Sequence, residues 1–457
     1  MKPERDAKSP GKLPAKPAVI VDSAEGQHVS RGRNSTARTR RIGAGLAAAA
    51  MVLAGCGGGG DVGTAETESV NPGMADGASG EVKLCGHKDA SGINRGTVAE
   101  FTKQNPDIQA EYVEIGANSD QSRTQMVQRL EGESTECDLF LMDVTWVSEF
   151  ASQGWVMDQT ELVSGYEEGT IPSTLETALF EDKYWAAPFY TNASLIYYMP
   201  EKVSAPESWQ QLYEEAVAAP ENAYVYQAQQ YEGLTVNFLE LLYSAGGEVL
   251  DEDGNVTVDS PETREVLEFM AQGLEDGAAP RSVLTYDEDA TRLAFESGDY
   301  GYQRNWPHVY RLLNESALAG TFEVAPLPAF GEDGTPSGVL GGWNLAINAF
   351  SDNPEAAVAL INFATTPDWQ KRVAADYSQA PVNEAAYDDP AVQEKMPFAQ
   401  QLRDSVEGAK PRPKSPVYPQ ISQAIYENAY SVISGDASAD EAVTRMAEQI
   451  KAAQETF

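Results

Sequence analysis

Between residues 81 and 143 the apolar residues change period four times, and this stretch limits the fold more than any other. Val82 and Leu84 alternate as in a short strand, Val98 and Phe101 give residues 94–103 a helical spacing, and Pro106 ends that pattern. Residues 110–115 alternate again, residues 123–130 read as a second helix, and Leu139-Phe140-Leu141-Met142 is an unbroken apolar run. Such a run is expected of a strand covered on both faces. Strand, helix, strand, helix, strand at this spacing predicts an α/β fold with a parallel sheet and helices on both sides. In such units the first and third strands are commonly neighbours, and ligands gather at the carboxyl ends of the strands. Asp143 directly follows the apolar run and is therefore a binding candidate. Its other role, capping a helix that starts near Thr145, is compatible with the first.

A second α/β set follows. Residues 184–190 and 195–198 read as two strands joined through the polar pivot Thr191-Asn192, and Pro206-Glu207-Ser208-Trp209 opens a helix. Residues 224–226 form a strand, residues 237–244, 262–273 and 288–297 are helical, and a strand at 300–302 runs into Arg304-Asn305-Trp306-Pro307. Residues 324–328 and 344–348 return in extended form. In the tail, Ser438 to Glu441 has capping-box spacing, with Val443, Met446 and Ile450 on one apolar face. No internal repeat is evident.

The start of the chain carries an address. Arg40-Arg41, an apolar stretch over residues 42–54, and Gly55-Cys56 have the layout of a secretory signal. Leu53-Ala54-Gly55-Cys56 resembles the bacterial lipobox, in which the cysteine thiol is alkylated by a diacylglyceryl group and becomes the mature N-terminus. A retained membrane helix is the alternative, but thirteen apolar residues fall short of the roughly 20 that span a bilayer. Residues 1–39 are long for the basic region of a signal, which leaves the true start and the choice between general and twin-arginine export open. Residues 1–55 are thus expected to be signal peptide. The Gly/Ser/Thr/Glu-rich segment 56–80 is expected to be a flexible tether, with order beginning at Glu81. Two or more lipid chains on Cys56 would hold the protein lastingly at the membrane.

With Cys56 assigned to lipid, Cys85 and Cys137 remain as an even pair in an oxidising compartment. Cys85 lies on the first strand and Cys137 at the entry to the third, so a bridge between neighbouring strands is the expectation; two buried free thiols are the alternative. The formal charge of −38 becomes −44 from Cys56 onward, with 22 basic against 66 acidic residues. That surface disfavours nucleic acid and anionic lipid and promotes solubility.

The chemistry-bearing motifs are sparse. There is no G-x-S-x-G, no phosphate loop and no His or Cys cluster at metal-ligand spacing among three histidines, so no cofactor or metal is expected. A glycosidase acid and base are easily imagined among 70 carboxylates, which makes that signal uninformative. Aromatic and polar residues paired at strand ends are more telling: Asp143, Asn192, Trp306, Trp343 and Arg412, the last between two prolines. Indoles cover the C–H faces of sugars, while carboxylate, amide and guanidinium groups bond their hydroxyls. Trp306 and Trp343 are equally suited to a core.

Together with the lipobox, Leu139 to Trp146, Gln230-Tyr231-Glu232-Gly233-Leu234, Arg304 to Pro307, Leu340-Gly341-Gly342-Trp343, Pro411-Arg412-Pro413 and Tyr418-Pro419-Gln420 resemble the family 1 extracellular solute-binding proteins of ABC sugar importers, in the trehalose/maltose-binding branch. The resemblance implies a two-lobed periplasmic-binding-protein-like fold (type II), each lobe a mostly parallel sheet flanked by helices, with the ligand cleft between them. The expected division is 81–190 with 331–380 for one lobe and 191–330 with 381–457 for the other. It implies that Asp143, Asn192, Glu288, Trp306, Gly342, Trp343 and Arg412 contact the ligand, and that no reaction is catalysed. Where relatives often carry an acidic ligand after the first strand, the sequence reads Gly86-His87-Lys88-Asp89-Ala90, leaving Asp89 as the acidic candidate. His308 stands where some relatives have tyrosine, which leaves the exact sugar open. The implied protein is a monomeric, lipid-anchored receptor for trehalose or a related α-linked glucose disaccharide that serves ABC permease subunits. Another oligosaccharide, a glycerol-phosphate diester, or a secreted glycosidase are the alternatives.

Overall fold

The strand runs read from the sequence become the central strands of two sheets. The computed structural model describes residues 68–331 and 334–456; the signal, Cys56 and the first part of the tether segment lie outside the described residues. The strands are β1 (Gly80–His87), β2 (Ile108–Gly116), β3 (Leu139–Asp143), β4 (Leu179–Phe180), β5 (Lys183–Tyr184), β6 (Ala187–Asn192), β7 (Leu195–Tyr198), β8 (Tyr224–Val225), β9 (Tyr302–Asn305), β10 (Glu323–Pro326), β11 (Gly341–Ile347) and β12 (Ala380–Pro381). Six of them form one sheet in the order β12-β6-β11-β3-β1-β2, and four form a second in the order β10-β7-β9-β8. β4 and β5 make a separate antiparallel pair.

As expected, β1 lies between β2 and β3, parallel to both, and every residue of β3 is buried. The expectation of mostly parallel sheets is corrected. β11 inserts antiparallel to both β3 and β6, and β12 pairs antiparallel with β6. In the second sheet only β8 and β9 are parallel; β7 runs antiparallel to β9 and β10. The reason is connectivity. β6 and β7 are separated by only two residues yet belong to different sheets, so the chain crosses between lobes there and returns through β11. A strand entering from the other lobe arrives at the end of the sheet opposite to where a helical crossover would deliver it. Each lobe has its own core: Val82, Phe101, Leu141 and Ile347 anchor one face of the first sheet, and Tyr197, Phe238 and Ile425 sit within the second lobe's core.

Order begins earlier than composition suggested. Val70 is buried and its N–H donates to the Asp158 carbonyl at 2.8 Å, Asn71 caps a short 3-10 turn over Pro72–Ala75, and the Asn362 amide donates to the Pro72 carbonyl. A single well-placed valine and the cap hold residues 68–80 on the first lobe, although Gly and Ser dominate around them. Cys85 and Cys137 form a disulfide, with Cα atoms 5.8 Å apart. β1 and β3 are in register at Cys85 and Phe140, so Cys137 comes up beside Cys85 just before β3 begins. In the tail, Ser438 and Glu441 make the reciprocal capping box, and Val443, Met446 and Ile450 are buried. No helix among the described residues is long and apolar enough to cross a membrane.

Candidate functional site

Seven of the eight ligand-binding candidates read from the sequence converge on one cavity. It has a volume of about 160 Å³ and takes its walls from both sheets and their flanking loops. A water needs roughly 10–15 Å³ on this scale, so the space suits a small molecule rather than a few solvent molecules. Asp143 ends β3, Gly342 and Trp343 open β11, Asn192 ends β6, Glu288 begins the helix Glu288–Glu296, Trp306 follows β9, and Arg412 lies in the loop before the helix Tyr418–Ile433. The pairing of β3 with β11 sets Trp343 directly opposite Asp143. Two residues 200 positions apart thereby share one strand end.

Gly342 is there for a backbone reason. Its φ is +138°, a conformation open to glycine, and a Cβ would approach the Tyr190 carbonyl oxygen to 2.7 Å and the Thr191 Cα to 2.8 Å. The strand distortion beside it turns Trp343 onto the His87 ring, with centroids 4.1 Å apart and planes 25° from parallel, while Trp146 meets the indole edge-on. Trp306 is supported differently. The Arg304 guanidinium lies 4.3 Å from the Trp306 ring centroid. Arg304 is itself fixed by Glu240 at 3.0 Å through Nε and 2.5 Å through Nη2, and by Gln227 at 2.7 Å, all buried. A planar guanidinium with its donors engaged makes a rigid floor for an indole. The Tyr197 hydroxyl adds a bond to the Trp306 carbonyl at 2.8 Å.

Arg412 ties the two lobes together. Its Nη2 donates to Asp143 at 3.0 Å and its Nη1 to Glu232 at 2.6 Å, leaving buried Nε without a protein partner. Asp143 also accepts from the Thr145 N–H and hydroxyl, closing a turn; the helix that follows, Val147–Ser152, begins two residues later without a side-chain cap, so Asp143 lines the cavity and does not cap that helix. Asn192 Oδ1 is buried and unpartnered as well. An open donor and an open acceptor in one cavity are what a hydroxylated ligand satisfies. At the rim, Lys88 pairs with Asp289 at 2.6 Å and Arg311 donates to the Ser91 carbonyl at 2.8 Å, joining the lobes in a closed arrangement.

Electrostatics favour an uncharged guest. Five acidic residues line the cavity (Asp143, Glu232, Asp287, Glu288 and Asp289) against two basic ones, Lys88 and Arg412, and both cations already have carboxylate partners. Burial pushes the Glu232 carboxyl up to about 7, opposed by Arg412 and reinforced by Asp143 and Asp120. Burial likewise raises Glu288, and it lowers His87 and His308 to about 4, so both imidazoles are neutral near pH 7.

Asp89 is the exception among the candidates. It does not line the cavity; its carboxylate accepts from the N–H groups of Gly92 and Arg95 and from the Ser91 hydroxyl. It closes its own loop at the start of the helix Ile93–Gln104. The same stretch places His87 and Lys88 on the cavity wall instead. Glu232 was also missed as an individual residue, although it sits inside the singled-out stretch 230–234. Its signal was position: the first residue of a helix, where a carboxylate meets the positive end of the helix dipole.

Comparison with known proteins gives one answer. The family model described as "Bacterial extracellular solute-binding protein" matches residues 87–371. A probable ABC transporter-binding protein of Deinococcus radiodurans is 32% identical over 344 residues, spanning 70% of this chain and 81% of the relative. Among solved structures, the maltose-bound MalE3 of T. maritima is 32% identical with a TM-score of 0.77, covering 81% of this chain and 99% of that one. UgpB from Mycobacterium tuberculosis, solved with glycerophosphocholine, has a TM-score of 0.71 over 83% of this chain and 99% of its own at 20% identity, a likeness of fold alone. The two-lobed architecture, the shared cavity between the lobes and the family match agree: this chain belongs to the bacterial extracellular solute-binding proteins, relatives of ABC transporter binding proteins.

Proposed function

We propose that this protein captures a neutral sugar, trehalose or a related α-linked glucose disaccharide, between its lobes and delivers it to the permease of an ABC importer. The observation that carries the reading is that one cavity is lined by an indole from each lobe. Trp343 is backed by His87 and Trp306 by Arg304, with Asp143, Asn192, Glu288 and Arg412 around them. Two faces for C–H stacking ringed by hydrogen-bonding groups match a pair of pyranoses. The maltose-bound relative at 32% identity supports the same class. Because the walls come from both lobes, ligand stabilises the closed form, and closure is the shape a permease reads.

The acidic lining favours this reading over a glycerol-phosphate diester, which would meet five carboxyl groups and two cations already paired. It favours capture over hydrolysis as well. Asp143 is held by Thr145 and Arg412, and Glu232 accepts from Arg412, Tyr418 and Ser422, so both carboxyl groups are engaged in fixing the cavity walls. The expected lobe division, 81–190 with 331–380 and 191–330 with 381–457, shifts at its borders to keep residues 68–80, β6 and β12 whole in the first lobe, and the protein works as a monomer. Lipid on Cys56 keeps this trap at high local concentration beside its transporter. In a thermal-shift screen of disaccharides, the cognate sugar raises the melting temperature and is recovered intact. Trp306→Ala and Trp343→Ala lose most of that shift while remaining folded; full affinity in both variants would overturn the site assignment, and release of glucose would overturn the receptor reading.

A further inference from the structure

Beside the main cavity lies a second pocket of about 240 Å³, and the two share a single lining residue, Glu232. The second pocket carries Trp146, Tyr418 and Tyr426 together with Asp120, Arg123 and Gln420, the same combination of aromatic faces and hydrogen-bonding groups that lines the first. The partition is held in place. The Glu232 carboxylate accepts from Arg412 at 2.6 Å, from the Tyr418 hydroxyl at 2.5 Å and from the Ser422 hydroxyl, and its N–H donates to Asp120 at 3.4 Å. A carboxylate with three donors has no rotamer freedom left with which to swing aside. Neighbouring residues fall on either side of this bar: Ser119 lines the first cavity and Asp120 the second, and Asp143 lines the first while Trp146 lines the second.

We propose that Glu232 sets ligand length: its side chain closes one end of the sugar cavity, and the pocket behind it, open to solvent on its far side, is a subsite fit for a further pyranose. The proposal rests on the sugar reading above and adds to it a residue that selects short ligands over long ones. Its chemistry is steric and polar together. A third sugar ring has to displace the carboxylate from Arg412, Tyr418 and Ser422, leaving buried donors unpaired. Shortening the side chain removes that penalty and joins the two spaces.

The test is calorimetric titration of the protein with trehalose, maltose and maltotriose, for the wild type, Glu232→Gln and Glu232→Ser. The wild type and the Gln variant, which keeps the bulk of the wall, are expected to bind their better disaccharide at least tenfold more tightly than maltotriose. Glu232→Ser is expected to shift that ratio at least tenfold toward maltotriose. If the Ser variant does not fold, Glu232→Asp withdraws the wall by one methylene and is expected to move the ratio in the same direction by a smaller factor. Equal wild-type affinity for maltotriose and the better disaccharide, or an unchanged ratio in the shortened variant, would overturn the proposal while leaving the sugar reading intact. Failure of the wild type to bind any of the three sugars would instead remove the sugar reading on which it rests.

Discussion

Arg304→Met isolates the support beneath Trp306. Arg304 and Glu240 are both fully buried, so the substitution leaves a carboxylate with the Ser194 hydroxyl as its remaining side-chain partner. Removing one member of a buried ion pair costs about 3–5 kcal/mol. Arg304→Met/Glu240→Leu removes both charges and should recover most of the loss, since apolar replacement of a whole buried pair is close to neutral. Binding should not recover with it. Trp306 loses the cation held on its face, an interaction of about 0.5–2 kcal/mol, and sugar affinity should drop roughly 2- to 30-fold in both variants. Denaturant unfolding and calorimetry on the same samples provide the readouts. A single variant that loses less than about 1 kcal/mol, or a double variant that regains affinity along with stability, would refute this account of how Trp306 is held.

Three further outcomes follow from particular residues. Gly342→Ala forces a Cβ to within 2.7 Å of the Tyr190 carbonyl at a φ of +138°, so backbone strain and overpacking together should lower stability by about 2–5 kcal/mol in denaturant titrations. His87 is pushed by burial from 6.5 to about 4, so the folded protein holds this proton more weakly than the unfolded chain does. Its stabilising contribution is complete above pH 6.5 and is lost as pH falls toward 4; His87→Phe, which keeps a ring against Trp343, should lose up to about 3 kcal/mol less than wild type between pH 7.5 and 4.5. Reduction of the Cys85–Cys137 bridge, which spans 52 positions, should lower unfolding free energy by about 4 kcal/mol on the loop-entropy model, measured with and without reductant.

Much of the first lobe was legible because its signals are local. The alternation at Val82 and Leu84, the break at Pro106 and the run from Leu139 to Met142 each report burial within a few residues, and they landed on β1, the turn before β2, and β3. That two separate strands meet near Thr191-Asn192 was visible too, but the pivot itself falls at Ala193-Ser194, because Thr191 and Asn192 are paired within β6. What could not be read locally was which distant segments pair. The insertion of β11 between β3 and β6 is specified by packing across the whole sheet, and it makes the sheets mixed while setting Gly342 and Trp343 beside Asp143. Asp89 and His87 show the same limit at finer scale. They are two positions apart, His87 ending β1 and Asp89 in the loop after it, and the bonds from the N–H groups of Gly92 and Arg95 hold Asp89 away from the cavity. Residues 68–80 were missed because composition averages over a stretch, while one valine in a fitting niche suffices to order it.

The central claim is that a closed, two-indole cavity takes an uncharged α-linked glucose disaccharide and leaves it unchanged. Calorimetric titration of the protein with trehalose, maltose and glycerophosphocholine, followed by analysis of the recovered sugar, tests it in one experiment. The account predicts saturable binding of trehalose or maltose, no binding of the phosphodiester, and intact disaccharide at the end. Tight binding of glycerophosphocholine with neither disaccharide bound, or free glucose in the recovered sample, would contradict it.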